Sequence, residues 1–399
     1  MGKVKRLFKR ENKGERFFLK YAFGSKFHFK YKSNKVILFR LDLIGDCTMF
    51  TSAALAIREY YKGVPMTVVC LSISRPVFER LGVFDKIISI DFRPEAVDWN
   101  RMKPLIAQLR SEKYDILLQP QLSKYPIVDI LAAAAKCNLR ISIEPLLHNS
   151  NSAPEWVNMT KFIYDQFVPY PRGNVSEFDC YGVFVRGITN SGYKTIMPKL
   201  PYGKQEFIAG DYYVLFPGAS LAQKMWPTER FARVAEHILA KTGLTAVILG
   251  SENEQSVSDR LKQSLYFGTA STVVDLIGKT SISDVIDIIG NAKFVISNDT
   301  SGVHIAAAVN TPSVAIAGGW HFNRFLPYHI EDIKDGDKLP RCAFTRTKCF
   351  NCDWNREYML QERFGCVVRY DQKESCECID LVTVEQVIEL VDRVIEEDL

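Results

Sequence analysis

Short apolar runs and amphipathic stretches alternate along most of this chain, in units of about thirty residues. In the first half, 36–40, 67–71, 86–91, 115–119 and 140–143 are β-rich runs that read as strands. Between them, 47–61, 77–81, 99–111 and 126–136 read as helices, and 41–46 reads as a loop. A second series begins at Asp211, with strands at 212–216, 245–249, 273–276, 294–297 and 313–317. Its helices are better marked. Thr228 is in position to cap a helix through 241 that carries Phe231, Val234, Ala235, Ile238 and Leu239 on one face. A helix follows at 253–265, and Ser281-Ile-Ser-Asp284 is a capping-box-like start for another at 285–289. Strands that alternate with helices at this spacing predict parallel sheets with crossover helices, hence two consecutive α/β domains.

The intervening stretch, 145–205, is less regular and rich in Pro, Asn, Tyr and Gly, so it reads as the tail of the first domain plus a linker. The last helix, 383–397, is amphipathic and is expected to pack back on the body. The resulting division is an arm at 1–35, a first domain at 36–205, a second at 206–340, and a Cys-rich segment with the terminal helix at 341–399. A length of 399 residues suits two such domains, and a cleft between them is the default place for a ligand.

Charge changes this picture at one end. The net charge is +5, but residues 1–35 carry nine Lys and three Arg against two Glu, which is +10. The remainder is therefore at 5 − 10 = −5. The arm mixes its cations with Phe8, Phe17, Phe18, Tyr21, Phe23, Phe27, Phe29 and Tyr31. That mixture suits an anionic membrane surface, with a solvated tail or nucleic acid as the other readings of the same cations. The arm has no uninterrupted apolar core of the kind a secretory signal needs, and the longest uncharged window, 300–323, reads as helix, turn and strand. The expectation is a cytoplasmic protein peripheral to the inner membrane.

The candidate chemistry lies just after predicted strands. Ser297-Asn-Asp299-Thr300-Ser301-Gly302-Val-His304 runs from a strand into an Ala-rich helix, a geometry that offers free N–H groups and a helix dipole to an anion. Asp299 sits at the strand's carboxyl end, where open α/β sheets bind ligands; helix capping accounts for the same residues. Gly45-Asp46 follows the first strand and suits a general base or a helix cap, with Arg40 and Asp42 near enough to orient it or to pair with each other. Ser220 and Lys224 lie on a Gly/Ser loop after 212–216 and can meet a phosphate. Glu252 follows 245–249, where a carboxylate can accept from ribose hydroxyls or simply favour a helix start. His304 reads equally as a packing residue or as part of the site.

The sequence contains no G-x-x-x-x-G-K-[ST], no G-x-G-x-x-G and no H-E-x-x-H, which removes support for a P-loop NTPase, a standard NAD dehydrogenase and a zincin. Six of ten cysteines crowd into 342–378: Cys342, Cys349, Cys352, Cys366, Cys376 and Cys378. The C-x-x-C within them has zinc-like spacing, and a small structural metal knuckle or reduced structural thiols both fit it. No catalytic metal is expected.

Three segments together resemble glycosyltransferase family 9, the ADP-heptose:lipopolysaccharide heptosyltransferase family. They are Arg40-Leu-Asp-Leu-Ile-Gly-Asp46, Pro217-Gly-Ala-Ser220 with Lys224-x-Trp226-Pro-x-Glu-Arg-Phe231, and Ser297-Asn-Asp-Thr-Ser-Gly-Val-His304-Ile-Ala-Ala-Ala. The resemblance spans about 36–330 with the motifs in order. It implies a GT-B fold, two Rossmann-like domains facing a central cleft, with the acceptor on the first and the nucleotide-sugar on the second. It also implies inverting, metal-independent transfer, without a cofactor, from an ADP-heptose to a lipopolysaccharide core or other lipid-linked saccharide. By position, Asp46 is then the base, and Ser220 and Lys224 hold the diphosphate. Thr300, Ser301 and Gly302 add backbone donors with His304 beside them, Asp299 contacts the sugar, and Glu252 the ribose. A nucleotide-sugar-binding membrane-associated protein without catalysis, and a GT-B-like sugar-nucleotide epimerase, are the alternatives. Nucleic acid is not expected as a partner. The arm, the Cys-rich segment and 145–205 fall outside the family pattern.

Overall fold

A computed structural model describes residues 34–91, 99–122, 126–144, 160–170, 175–204, 207–352 and 375–399. The basic arm, apart from its last two residues, and Cys366 lie outside them. Contacts divide the chain into two units. One holds the described residues of Met1–Leu43, Leu55–Pro171 and Cys180–Tyr193, and the other those of Ile44–Ala54, Arg172–Asp179 and Lys194–Leu399. The division is discontinuous along the chain, whereas the sequence reading runs the first domain unbroken from 36 to 205.

In the first unit, β1 (Val36–Arg40), β2 (Met66–Leu71), β3 (Lys86–Ile90), β4 (Ile116–Gln119), β5 (Leu139–Ile143) and β6 (Gln166–Val168) form a sheet in the order β3-β2-β1-β4-β5-β6. All its ladders are parallel. β1 and β2 are buried at every position, because crossover helices cover both faces of a parallel sheet. Ile37, Phe39, Val69 and Leu117 pack there with Leu109 of helix Trp99–Glu112 and Leu131 of helix Pro126–Ala134.

The second unit repeats the plan with β7 (Tyr212–Phe216), β8 (Thr245–Ile248), β9 (Val273–Asp275), β10 (Val295–Asn298), β11 (Ser313–Ile316) and β12 (Arg341–Ala343) in the order β12-β11-β10-β7-β8-β9. Its ladders are parallel as well. Counted from its own first strand this is again 3-2-1-4-5-6, the doubly wound order, whose topological switch lies between β7 and β10. Helix Ile282–Asn291 begins with a capping box between Ser281 and Asp284. Helix Val384–Asp398 is capped by Thr383, which accepts from the Gln386 N–H at 3.2 Å and donates its own N–H to Gln386 Oε1 at 2.8 Å. That helix buries Val384, Val387, Val391 and Val394 in the second core.

Several local expectations change. Residues 44–46, expected as loop, are helical: helix Ile44–Met49 buries Ile44, Cys47, Thr48 and Met49 and is followed, after Phe50, by helix Thr51–Tyr60. Inward-facing small and apolar side chains outweigh the turn signal of Gly45 there. Thr228 does not cap its helix. It is the first residue of Thr228–Thr242, Pro227 stands at the cap, and no side chain caps the end. Pro suits a helix start because it has no N–H to satisfy.

The irregular stretch contains β6, a three-residue edge strand, and helix Glu177–Thr189. That helix is poor in strong helix formers and holds two Gly, but burying Phe178, Cys180, Tyr181, Phe184 and Val185 outweighs local propensity. β12 is likewise too short to read from sequence. No helix among the described residues is long and apolar enough to cross a membrane.

If the terminal helix holds the second core together, Val391→Ala removes two buried methyl groups at a fully covered site. The expected loss is about 2 kcal/mol, read as a lower urea midpoint at unchanged slope.

Candidate functional site

The candidate residues of the second unit gather at one edge of its sheet. β10 ends in Asn298, which is fully buried and stitches two loops together. Its amide nitrogen donates to Pro217 O at 2.7 Å, and its side-chain oxygen accepts from the Trp226 N–H at 3.1 Å. The 217–226 loop that carries Ser220 and Lys224 is thereby held against the end of β10. Trp226 anchors the loop from below, its indole N–H donating to Val382 O at 2.9 Å.

Asp299 follows, its backbone N–H bonded to Ile316 O at 3.0 Å. Its carboxylate lies between two nitrogen groups. Lys224 Nζ is 3.7 Å from Oδ2, and His304 Nε2 is 4.0 Å from Oδ1. Lys224 also lies over the Trp320 ring, 5.3 Å from its centroid, a cation–π contact. Trp320 was not singled out in the sequence, although Gly318-Gly319-Trp320 after β11 is a strand-end signal of the same kind as the others.

Thr300 is the N-cap of helix Ser301–Ala308, in extended conformation, and its side chain makes no cap hydrogen bond. Its hydroxyl instead lies 3.1 Å from Ser297 Oγ. The opening turn of the helix therefore keeps its N–H groups clear of a side-chain cap. Gly302 is needed for the close approach of this helix to β7: a Cβ there would lie 2.8 Å from Phe216 Cδ2.

His304 is buried, and burial lowers its pKa to about 4 despite the upward pull of Asp299, with Lys224 adding to the downward shift. The imidazole is neutral at pH 7. Its Nδ1 is 2.8 Å from the Tyr328 hydroxyl, and the two ring planes are parallel within 4°. Tyr328 matches no motif and was missed. Burial raises its pKa well above the usual tyrosine value and pushes that of Cys342 up to about 12, with Asp299 adding to both.

Helix Ile44–Met49, which carries Asp46, packs on helix Ser301–Ala308 within the same unit. Gly45 is what permits this, since a Cβ there would come within 2.9 Å of His304 Cδ2 and 3.6 Å of Ser301 Cα. Asp46 is half-buried one residue further on. Arg40 and Asp42 pair with each other at 3.0 Å in the first unit, where Gln121 Nε2 donates to Asp42 Oδ1 at 2.6 Å and Arg40 donates to the Tyr181 hydroxyl.

Ser220 and Glu252 are exposed, at the carboxyl ends of β7 and β8. Glu252 opens a single helical turn, Glu252–Glu254, that Ser251 and Glu254 close as a capping box. Because β10, β7 and β8 are neighbours in a parallel sheet, the three loops share one edge. Among the described residues, no group of three or more His, Cys, Asp or Glu stands where it could hold a metal ion. Cys349, Cys376 and Cys378 are buried in the second core, with Cys352 packed against it.

Residues 192–340 match the family model described as glycosyltransferase family 9 (heptosyltransferase). The chain is similar to lipooligosaccharide heptosyltransferase 2 of Haemophilus influenzae, at 32% identity over 29% of this chain and 34% of that protein. It spans about a third of that relative and 29% of the corresponding Haemophilus ducreyi protein. A longer match, at 22% identity over 74% of this chain and 82% of the other, is to the lipopolysaccharide core heptosyltransferase OpsX of H. influenzae. Among solved structures it resembles the Escherichia coli ADP-heptose lipopolysaccharide heptosyltransferase II, with a TM-score of 0.66 and 15% identity over 92% of this chain and 100% of the other. That likeness assigns its two parallel-sheet α/β units to the GT-B fold class.

The neutral histidine has a consequence for stability. Its folded pKa, about 4, lies below the unfolded value near 6.5. Between those values the unfolded chain binds a proton that the folded chain does not, so stability falls as pH drops through this window. The contribution is on the order of 3 kcal/mol. Urea unfolding at pH 7, 5.5 and 4.5 should give a shallower pH dependence for His304→Gln than for the unaltered protein.

Proposed function

We propose, from the match of residues 192–340 to the glycosyltransferase family 9 model, that the chain moves a heptose or related sugar from an ADP-sugar to a lipopolysaccharide core or other lipid-linked saccharide. The transfer inverts the anomeric carbon and uses no metal. One observation carries the reading: Lys224, Asp299 and His304 are grouped at the carboxyl end of β10, and the helix bearing Asp46 is packed on the helix bearing His304.

In this reading Asp46 takes the proton from the acceptor hydroxyl as its oxygen attacks the anomeric carbon. The bond from that carbon to the diphosphate breaks on the opposite side, and ADP leaves with the electron pair. Charge accumulates on the departing diphosphate. Lys224, the Ser220 hydroxyl and the N–H groups of Thr300, Ser301 and Gly302 offset it, which is how a site without a metal can stabilise such a leaving group. Asp299 accepts from sugar hydroxyls, His304 lies beside it, and Glu252 accepts from the ribose. An ADP-sugar is favoured as donor because the similar E. coli structure is an ADP-heptose heptosyltransferase. The acceptor is lipid-linked, so we also propose that residues 1–35 bind the anionic face of the inner membrane from the cytoplasm.

Two measurements test the proposal. With purified protein, ADP-heptose and a lipopolysaccharide-core acceptor, Asp46→Ala should lower transfer by about a thousandfold while ADP affinity stays within about twofold. Full activity in that variant would remove Asp46 from the mechanism, and ADP binding without transfer by the unaltered protein would favour a binding protein. Separately, the full chain should bind anionic liposomes in a salt-sensitive way, and a chain starting at Lys35 should not. Salt-insensitive binding, or none, would reduce the arm to a plain tail.

A further inference from the structure

We propose that Tyr328 is a positioning residue that fixes His304 as the Nε2–H tautomer, so that a neutral imidazole offers a hydrogen-bond donor to the sugar-diphosphate beside Asp299. What the donor meets rests on the transfer reading above. The tautomer is a property of the protein alone.

The buried hydroxyl and the far ring nitrogen favour the same tautomer. Tyr328 is buried, and among the described residues its hydroxyl has one hydrogen-bond partner, His304 Nδ1 at 2.8 Å. A buried hydroxyl whose proton has no acceptor costs about 1–3 kcal/mol. That cost is avoided if Tyr328 donates to a bare Nδ1, which lies within hydrogen-bond reach.

Nε2 faces Asp299 Oδ1 at 4.0 Å. A lone pair there would face a carboxylate oxygen and be repelled, whereas an N–H is attracted. The separation is nonetheless too long for a hydrogen bond, so Nε2–H keeps its donor capacity. The His304 side chain is 6% exposed. Nε2 itself is not fully covered, so an acceptor on a ligand, or water, can reach it.

Burial, which keeps the imidazole from gaining a second proton, matters for the same reason. An imidazolium would compete with Lys224 for Asp299, whereas a neutral N–H adds a donor without adding charge.

The tyrosine is itself held. Phe178 packs on its ring at 4.6 Å between centroids. The start of the Phe178 helix is tied down where Arg324 donates to Glu177 Oε1 at 2.8 and 2.9 Å and the Glu177 N–H donates back to Arg324 O at 2.8 Å. All of these residues belong to the second unit.

The test is nitrogen NMR on the full chain labelled with 15N-histidine, at pH 7 without ligand, with the His304 signal identified by its loss in His304→Gln. The expected spectrum has a bare Nδ1 and a protonated Nε2, and Tyr328→Phe should move His304 toward a mixture of tautomers. A protonated Nδ1 in the unaltered protein, or an unchanged tautomer in Tyr328→Phe, overturns the proposal.

Kinetics give a second readout. Tyr328→Phe should lower kcat about tenfold with little change in the donor KM. His304→Gln, whose amide nitrogen reaches the Nε2 position, should retain more activity than His304→Asn. In the His304→Gln background, Tyr328→Phe should have no further effect, because the tyrosine acts through the imidazole. An equal loss in both backgrounds would overturn the assignment. If even the unaltered protein transfers no sugar, the transfer reading fails while the NMR result still decides this one.

Discussion

A parallel strand covered by helices on both faces has nowhere along its length to present a polar group to a ligand. β1, β7 and β10 are buried at every position, so whatever chemistry they support must lie where the backbone leaves the sheet. This constraint concentrates the candidate residues within a few positions of a strand's carboxyl end: Ser220 and Lys224 after β7, Glu252 after β8, Asp299 to His304 after β10, Trp320 after β11. The doubly wound order then selects among those ends. At the switch between β7 and β10 the following helices depart to opposite faces, and the two loops flanking that crevice carry Lys224 and Asp299, 3.7 Å apart.

Holding such an edge in shape is a matter of buried hydrogen bonds and small residues. Asn298 spends its amide on the 217–226 loop, so the loop's position depends on a side chain that belongs to a core strand. Gly302 and Gly45 let helices approach β7 and His304 at distances that a methyl group would forbid. The result is a carboxylate flanked by an ammonium and by a neutral imidazole, with an indole face under the ammonium. Each partner differs in charge or in hydrogen-bonding sense, so the edge sets an acceptor, a cation and a neutral ring side by side.

The first unit applies the same constraint to different residues. Arg40 ends β1, is 1% exposed, and is compensated by Asp42 and the Tyr181 hydroxyl, with Gln121 also donating to the carboxylate. A guanidinium this deeply buried is tolerable only when paired and hydrogen-bonded. At the neighbouring strand ends, Ser142 bonds Gln119 Oε1 at 2.8 Å and Gln119 Nε2 donates to Gln121 at 3.2 Å, so a polar network runs along that edge too.

What the sequence by itself determined is what periodicity and short spacing encode. The apolar runs marked ten of the twelve strands among the described residues, the Ser281 capping box is present as its spacing predicts, and strand-end loops flagged the residues that gather at the second sheet's edge. The tertiary structure decided the rest. It made helix Glu177–Thr189 out of weak helix formers and turned the loop before Cys47 into a helix. It paired Arg40 with Asp42, joined Asn298 to Pro217 across 81 positions, and brought Tyr328 to His304. The physical reason is range. Propensity, capping and alternation act over a few residues and leave a signature there, whereas the burial that neutralises His304 and the hydroxyl that orients it arise only when distant segments close around the same point.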